Sequence, residues 1–145
     1  MSSDHTTDPY DLHRFVTAQA RVYERVRAEL REGEKQSHWM WFIFPQVAGL
    51  GSSEMARRYA ISSLEEARAY LAHAVLGPRL EECTRLVNAV QGRTLEHIFH
   101  QPDSMKFRSS MTLFAQAAPD RTMFREALEK YCDGAFDPKT LQQLK

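Results

Sequence analysis

Two short segments of this sequence combine residue types that could bind or transform a small molecule. The first, Ser37 to Pro45, reads SHWMWFIFP and places one imidazole beside two indole rings in an apolar run. A histidine in such surroundings is expected to be partly desolvated and to need a hydrogen-bond partner. Because the ordinary pKa of histidine lies nearest neutrality, His38 is a candidate general acid or base. The alternative is that His38 only bonds a neighbouring backbone group while the tryptophans fill the core.

The second segment, Asp103 to Ser110, contains a lysine and two serines at helical spacing. Lys106 precedes Ser109 and Ser110 by three and four residues, so the three side chains would share one face of a helix. An ammonium group beside hydroxyl groups suits a phosphate or a carboxylate. The alternative is an ordinary solvated helix surface. The glycine-containing loop 46–53 leads into a predicted helix and could offer backbone N–H groups to the same anion.

These segments predict one polar site at which His38, Gln46, Lys106 and Ser109 converge, with Trp39 contributing to binding. The expected ligand is a small anionic metabolite such as a nucleotide or a nucleotide sugar. If catalysis occurs, His38 would be the acid or base and Lys106 would neutralise developing negative charge. We expect no cofactor. The alternative function is a protein-interaction module whose short helices present an apolar groove to a partner helix or peptide, which requires an exposed apolar patch.

The motifs of several common enzyme classes are absent. The sequence contains no GxGxxG, P-loop, GxSxG, HExxH or EF-hand pattern. It therefore lacks the signatures of the corresponding nucleotide-binding, hydrolase and metal-binding families. His97, His100 and Asp103 are spaced like metal ligands, but Pro102 should interrupt their helix, so we predict no metal site. Cys83 and Cys132 belong to no CxxC pair and are expected to be buried thiols.

The elements that would position the site are helices, because apolar residues recur at helical spacing in nearly every segment. No second β-prone run could pair with Ser37 to Pro45, so we expect a short buried helix there that ends before Pro45 and places Trp39 and Trp41 in the core. A break is expected near residues 19–21, where polar residues interrupt the apolar stripe. Helix starts are predicted at Ser53, Ser63 with Glu66, Thr94, Pro102, Asp120 and Asp137-Pro138.

The predicted fold class is all-α, an irregular multihelical single domain of seven or more mostly short helices. A chain of 145 residues has the size of one domain. We expect residues 1–9 to be a flexible tail and residues 10–145 to form the single helical domain.

The charge balance and the apolar runs exclude several partners. Nineteen basic residues balance nineteen acidic ones, so no overall positive field would attract nucleic acid or an anionic membrane. The longest dominantly apolar run, Trp39 to Pro45, is far shorter than the roughly 20 residues of a membrane span. Residues 1–9 lack the features of a secretory signal. We therefore expect a cytoplasmic protein that binds neither membranes nor nucleic acid, and for which a protein partner remains open.

Five segments carry a resemblance to a known family. They are Asp11 to Phe15, Ser37 to Gln46, Gly49 to Gly51, Arg58 to Ile61 and Lys106 to Phe114. On these segments, and over nearly its whole length, the chain resembles an uncharacterised bacterial family catalogued as a domain of unknown function. The resemblance implies a compact multihelical fold, and it supplies neither an activity nor catalytic residues. Some members carry the name calpastatin, which does not suit this chain because inhibitors of that kind are long and disordered.

Overall fold

The computed structural model describes residues 8–145, which form one all-α domain with a single isolated parallel bridge between Val47 and Ile61. The predicted tail, residues 1–9, lies outside the described residues except for Asp8 and Pro9. No helix in the described range is long and apolar enough to cross a membrane. The ten helices of this range are α1 His13–Ala20, α2 Tyr23–Glu32, α3 Met40–Ile43, α4 Glu54–Arg58, α5 Leu64–Ala72, α6 Leu76–Ala89, α7 Leu95–Phe99, α8 Asp103–Ala117, α9 Thr122–Tyr131 and α10 Pro138–Gln143.

Three of the helices, α4, α5 and α7, begin where capping side chains predict. The hydroxyl groups of Ser53, Ser63 and Thr94 each accept a hydrogen bond of 3.1 Å from the amide three residues further on. This contact satisfies one of the otherwise unpaired amides of the first helical turn. The second half of the expected capping box is displaced by one residue, because the Glu66 carboxylate accepts from the amide and hydroxyl of Ser62, both at 2.8 Å.

The prediction that Asp120 caps α9 is wrong. The residue in the capping position is Arg121, and within residues 8–145 it makes no side-chain hydrogen bond to the first amides of α9. Asp120 lies in the turn that precedes this position, one residue too early to reach the amides that a cap would satisfy.

The predicted break near residues 19–21 is confirmed between α1 and α2. The Gln19 side chain is buried, and its amide nitrogen donates to the carbonyl of Phe42 at 2.7 Å and to the hydroxyl of Tyr70 at 2.9 Å. These contacts explain why a polar residue interrupts the apolar stripe, since its amide group is fully engaged inside the protein.

The core surrounds α8, which packs against α5, α7, α9 and α10. An aromatic cluster lies beneath its first half, where the ring of Phe107 is 5.0 Å from that of Phe44 and 4.9 Å from that of Phe99. The short helix predicted before Pro45 is confirmed as α3, and Trp39 is fully buried beside it. Trp41 was expected in the core as well, but it is only half-buried.

The two cysteines differ in environment. Cys83 is fully buried on α6, as predicted, and this burial raises the pKa of its thiol to about 12. Cys132, at the end of α9, is only half-buried, so the prediction of a buried thiol is not met there. Both cysteines are free thiols.

Candidate functional site

A groove of about 390 Å³ lies where three separate segments meet. One wall is the loop 46–53 with the start of α4, the second is the first half of α8, and the third is the start of α10. Three of the residues predicted for the site, Gln46, Lys106 and Ser109, lie on this groove. The residues that line it are Gln46, Leu50, Gly51, Ser52, Ser53, Ala56, Pro102, Met105, Lys106, Arg108, Ser109, Asp137 and Lys139.

Helix α8 places Lys106 and Ser109 on the same face, as their spacing predicts. Pro102 occupies the capping position before the helix, so both residues lie within its first two turns. Ser110 was expected on this face as well, but its side chain is fully buried. Successive residues of a helix are rotated by about 100° around its axis, which places Ser110 on the core side of α8 although Ser109 borders the groove.

The ammonium group of Lys106 is only partly neutralised by its neighbours. Its Nζ atom is 3.4 Å from Oδ1 of Asp103 and 5.4 Å from the centre of the Trp41 ring. The other oxygen of Asp103, Oδ2, is 2.9 Å from Nζ of Lys35, a lysine that is only 8% exposed. Asp103 therefore divides one negative charge between two lysines, and the lysine in the groove retains positive charge that an anion could compensate.

Asp137 is a groove residue that the sequence did not indicate. Its Oδ2 atom accepts hydrogen bonds from the hydroxyl groups of Ser109 at 2.7 Å and Thr140 at 2.6 Å. Burial alone would raise the pKa of this carboxyl, but these hydrogen bonds hold the pKa below its ordinary value. The carboxylate is therefore ionised at neutral pH. An Asp-Pro pair predicts only a helix start, so no local signal could have placed Asp137 beside Ser109.

Two further cationic side chains complete the groove. The Nε and Nη2 atoms of Arg108 donate to the carbonyl groups of Ala135 at 3.1 Å and Phe136 at 2.7 Å, which fixes the guanidinium at the rim. Lys139, in the first turn of α10, is exposed and forms no ion pair within residues 8–145. With Lys106, the walls carry three cationic groups and a single carboxylate, so the groove is electropositive although the whole chain is neutral.

The loop that forms one wall is held by the bridge between its start and the segment before α5. The amide of Ile61 donates to the carbonyl of Gln46 at 2.9 Å, and the amide of Ala48 donates to the carbonyl of Ile61 at 2.8 Å. This pairing places the half-buried side chain of Gln46 at the edge of the groove. The glycine-containing loop is therefore part of the candidate site.

Trp39, predicted to contribute to binding, lies inside the core and not on the groove. Its indole N–H donates to Oε1 of Glu29 at 2.9 Å. The same carboxylate accepts from the amide of Gln36 at 2.9 Å and from the hydroxyl of Ser37 at 2.7 Å. The Glu29 carboxylate thus accepts hydrogen bonds from three residues of this segment. These contacts hold the indole ring of Trp39 in the interior, out of reach of a ligand in the groove.

His38 is exposed, and it is not among the residues that line the groove. The expectation that its imidazole is partly desolvated is therefore not met. The physical reason is the chain direction imposed by the residues that follow, because Trp39 and Met40 both enter the core and leave the preceding imidazole of His38 outside. Of the four polar residues predicted to converge, three lie on the groove and His38 does not.

No metal centre accompanies the groove in the described part of the chain. No group of three or more His, Cys, Asp or Glu side chains within residues 8–145 could hold a metal ion. Asp103, the third residue of the metal-like spacing in the sequence, is engaged by Lys35 and Lys106. The chemistry available in the groove is therefore that of ammonium, guanidinium, hydroxyl, amide and carboxylate groups.

Comparisons with known proteins agree with the fold. The solved structure of the conserved hypothetical protein Rv1873 from Mycobacterium tuberculosis superposes with a TM-score of 0.93 and is 60% identical in sequence. The match covers 94% of this chain and 98% of the mycobacterial one.

The family assignment rests on a second comparison. No curated protein is significantly similar to the chain. The model of the family described as "Protein of unknown function (DUF1810)" matches residues 9–144, which include every groove residue. The family resemblance seen in the sequence is confirmed by this match and by the mycobacterial relative, and the chain belongs to the DUF1810 family.

Proposed function

We propose that the groove between the loop 46–53, α8 and α10 binds a small anionic metabolite, with a nucleotide derivative as the best candidate. The observation that supports this most directly is the concentration of charge. Lys106, Arg108 and Lys139 share one groove with a single carboxylate, in a protein whose formal net charge is zero. One phosphate group of a ligand could accept hydrogen bonds from the ammonium group of Lys106, and another could contact the guanidinium of Arg108.

The apolar part of the groove fits the remainder of such a ligand. Leu50, Pro102 and Met105 line the groove beside the cationic groups. The Met105 side chain is 62% exposed, although it belongs to α8, whose other apolar residues are buried. A flexible thioether adapts to flat rings of different shape, as a nucleobase would require. The groove also falls in the size range of roughly 300 to 1,000 Å³ that is typical of small-molecule sites.

The alternative function, a protein-interaction module, has less support. Such a module needs an apolar groove or an exposed apolar patch of several hundred Å². Met105 is the one large hydrophobic side chain that is exposed within residues 8–145. The groove that it borders contains convergent polar and charged groups. These observations favour a small polar ligand over a partner helix.

The proposal is limited to binding. The sequence offered His38 as the general acid or base, and this side chain does not line the groove. Catalysis by His38 stays a prediction without support from its position. The cytoplasmic location expected from the sequence would expose the groove to nucleotides and sugar phosphates.

The test is a thermal-shift screen of the pure protein against nucleotides, sugar phosphates, dinucleotides and their uncharged nucleosides. A ligand at 100 times its dissociation constant should stabilise the protein by about 2.7 kcal/mol. The shift should disappear in Lys106→Ala and persist in Arg125→Ala, which removes an exposed cation on α9 outside the groove. The proposal fails if no anionic metabolite raises Tm, or if both variants respond like the parent protein.

A further inference from the structure

A second cavity of about 300 Å³ adjoins the groove and shares two of its residues. Met105 and Arg108, which lie three residues apart on α8, line both spaces. The far side of the second cavity is formed by the start of α7 and by residues 131–133 at the end of α9. A ligand that occupied the groove could therefore extend past the Met105 side chain into this cavity.

The second cavity has a different chemical character from the groove. Its charged groups are the carboxylates of Glu96 and Asp133 and the guanidinium of Arg108. Glu96 and Asp133 are exposed and form no ion pair within residues 8–145. Ser104 also belongs to the wall, is only 3% exposed, and its hydroxyl has no hydrogen-bond partner in the described part of the chain. A buried hydroxyl without a partner is costly, and it is an observation that requires an explanation.

We propose that this cavity is a second subsite that receives the uncharged, hydroxylated ring of a ligand whose phosphate groups lie in the groove. The proposal rests on the proposed function and specifies its ligand class, a nucleoside diphosphate sugar. The phosphates would contact Lys106 and Arg108, and the sugar ring would lie beyond Met105 between Glu96 and Asp133.

The charges on the walls disfavour a second anionic group at this end of the ligand, because that group would meet the carboxylates of Glu96 and Asp133. Sugar hydroxyl groups donate hydrogen bonds to carboxylates and accept them from a guanidinium. One uncharged ring can therefore bond to the carboxylates and to the guanidinium of this cavity. The Met105 thioether supplies an apolar surface for the C–H face of the ring.

Cys132 provides a native probe of this cavity. Its thiol lies on the cavity wall and is half-buried, whereas Cys83 is fully buried. Burial, together with the nearby carboxylates of Glu96 and Asp133, raises the pKa of the Cys132 thiol, and Arg108 opposes the effect. Because Cys132 is the more accessible thiol, alkylation by iodoacetamide at about pH 9, where more of an ordinary thiol is ionised, should label Cys132 and spare Cys83.

The experiment compares each nucleotide with its sugar derivative: ADP with ADP-ribose, and UDP with UDP-glucose. At ten times the dissociation constant, at least one nucleotide sugar should slow the alkylation of Cys132 about tenfold, because about a tenth of the sites remain free. The matching nucleotide should bind the groove and leave the alkylation rate unchanged. If a nucleotide sugar binds and the rate of Cys132 alkylation is unaffected, the second subsite is overturned.

Affinity measurements on variants separate the two proposals. In Glu96→Gln/Asp133→Asn, the sugar derivative should lose about tenfold in affinity while the nucleotide keeps its own, and Lys106→Ala should weaken both ligands. The substitution Glu65→Gln, on α5 away from both cavities, should change neither affinity. Asparagine tolerates the positive φ of residue 133, so the double variant should fold.

Equal affinities for nucleotide and sugar derivative in the parent protein overturn the subsite and leave the groove proposal intact. Absence of binding by all four compounds overturns both.

Discussion

The hydroxyl group of Ser109 donates a hydrogen bond of 2.7 Å to the carboxylate of Asp137, which joins α8 to the start of α10 along one side of the groove. A second contact supports the first, because the amide of Asp137 donates to the hydroxyl of Thr112 at 2.9 Å. Ser109, which donates to Asp137, and Thr112, which accepts from it, are three residues apart and lie on one side of α8. The position of Lys139, two residues after Asp137, therefore depends on polar contacts made by α8.

Adjacent serines should respond in opposite ways to substitution by alanine. Ser109→Ala removes a hydrogen bond to an ionised carboxylate and should lower the free energy of unfolding by about 1.5 to 3 kcal/mol. Ser110→Ala removes a fully buried hydroxyl that has no partner within residues 8–145, so the free energy of unfolding should stay the same or rise by up to about 1 kcal/mol. Urea unfolding of both variants measures the difference, and equal losses would contradict this account of the two side chains.

Asp103→Asn should weaken the fold and strengthen anion binding. The substitution leaves the buried ammonium of Lys35 without its carboxylate partner, at a cost of about 3 kcal/mol in the free energy of unfolding. It also removes the negative charge beside Lys106, so an anion in the groove should bind a few-fold more tightly. The matched control is Glu24→Gln, which breaks the exposed pair with Arg27 and should cost less than about 1 kcal/mol. Chemical denaturation and ligand titration of the two variants give the result, and similar stability losses would refute the role of Asp103.

The two tryptophans should differ in their contribution to stability. Trp39→Ala removes a fully buried indole and should cost about 3 to 5 kcal/mol in the free energy of unfolding. Trp41→Ala should cost clearly less, because its ring is only half-buried, and it should also release the Lys106 ammonium that lies over the ring. Equilibrium unfolding of both variants tests this order. A larger loss of unfolding free energy in Trp41→Ala than in Trp39→Ala would contradict it.

The carboxylate of Glu29 should make the stability depend on acid pH. Burial alone would raise the pKa of this group, but hydrogen bonds from Gln36, Ser37 and Trp39 hold the pKa below its ordinary value in the folded protein. Its contribution is therefore complete above the unfolded pKa of about 4.3, and it is lost as the pH falls through the lower folded pKa. Glu29→Gln should be less stable than the parent protein between about pH 5.5 and 7.5, and this difference should shrink below about pH 4. Thermal melts across that range check the sign, and a difference that grows on acidification would contradict it.

Helix positions could be predicted because the signals that set them are local. A serine or threonine hydroxyl three residues before an unpaired amide, a proline in a first turn and a buried apolar stripe all act within one or two turns of the chain. The starts of α4, α5 and α7 follow from Ser53, Ser63 and Thr94 in this way. The prediction failed at α9, where Asp120 lies one residue before the position from which a side chain could act as a cap.

The sequence by itself determined the all-α class, the break after α1 and the face that Lys106 shares with Ser109, since each depends on neighbouring residues. Only the tertiary structure decided which polar groups meet. Glu29, ten residues before Trp39, draws that indole into the core, and the packing of α10 on α8 brings Asp137 to Ser109 across 28 positions. Contacts over such separations depend on how whole helices pack, and neither residue type nor spacing encodes that packing locally. The electropositive groove in a neutral chain is therefore a property of the fold, assembled from charges that are unremarkable in their own segments.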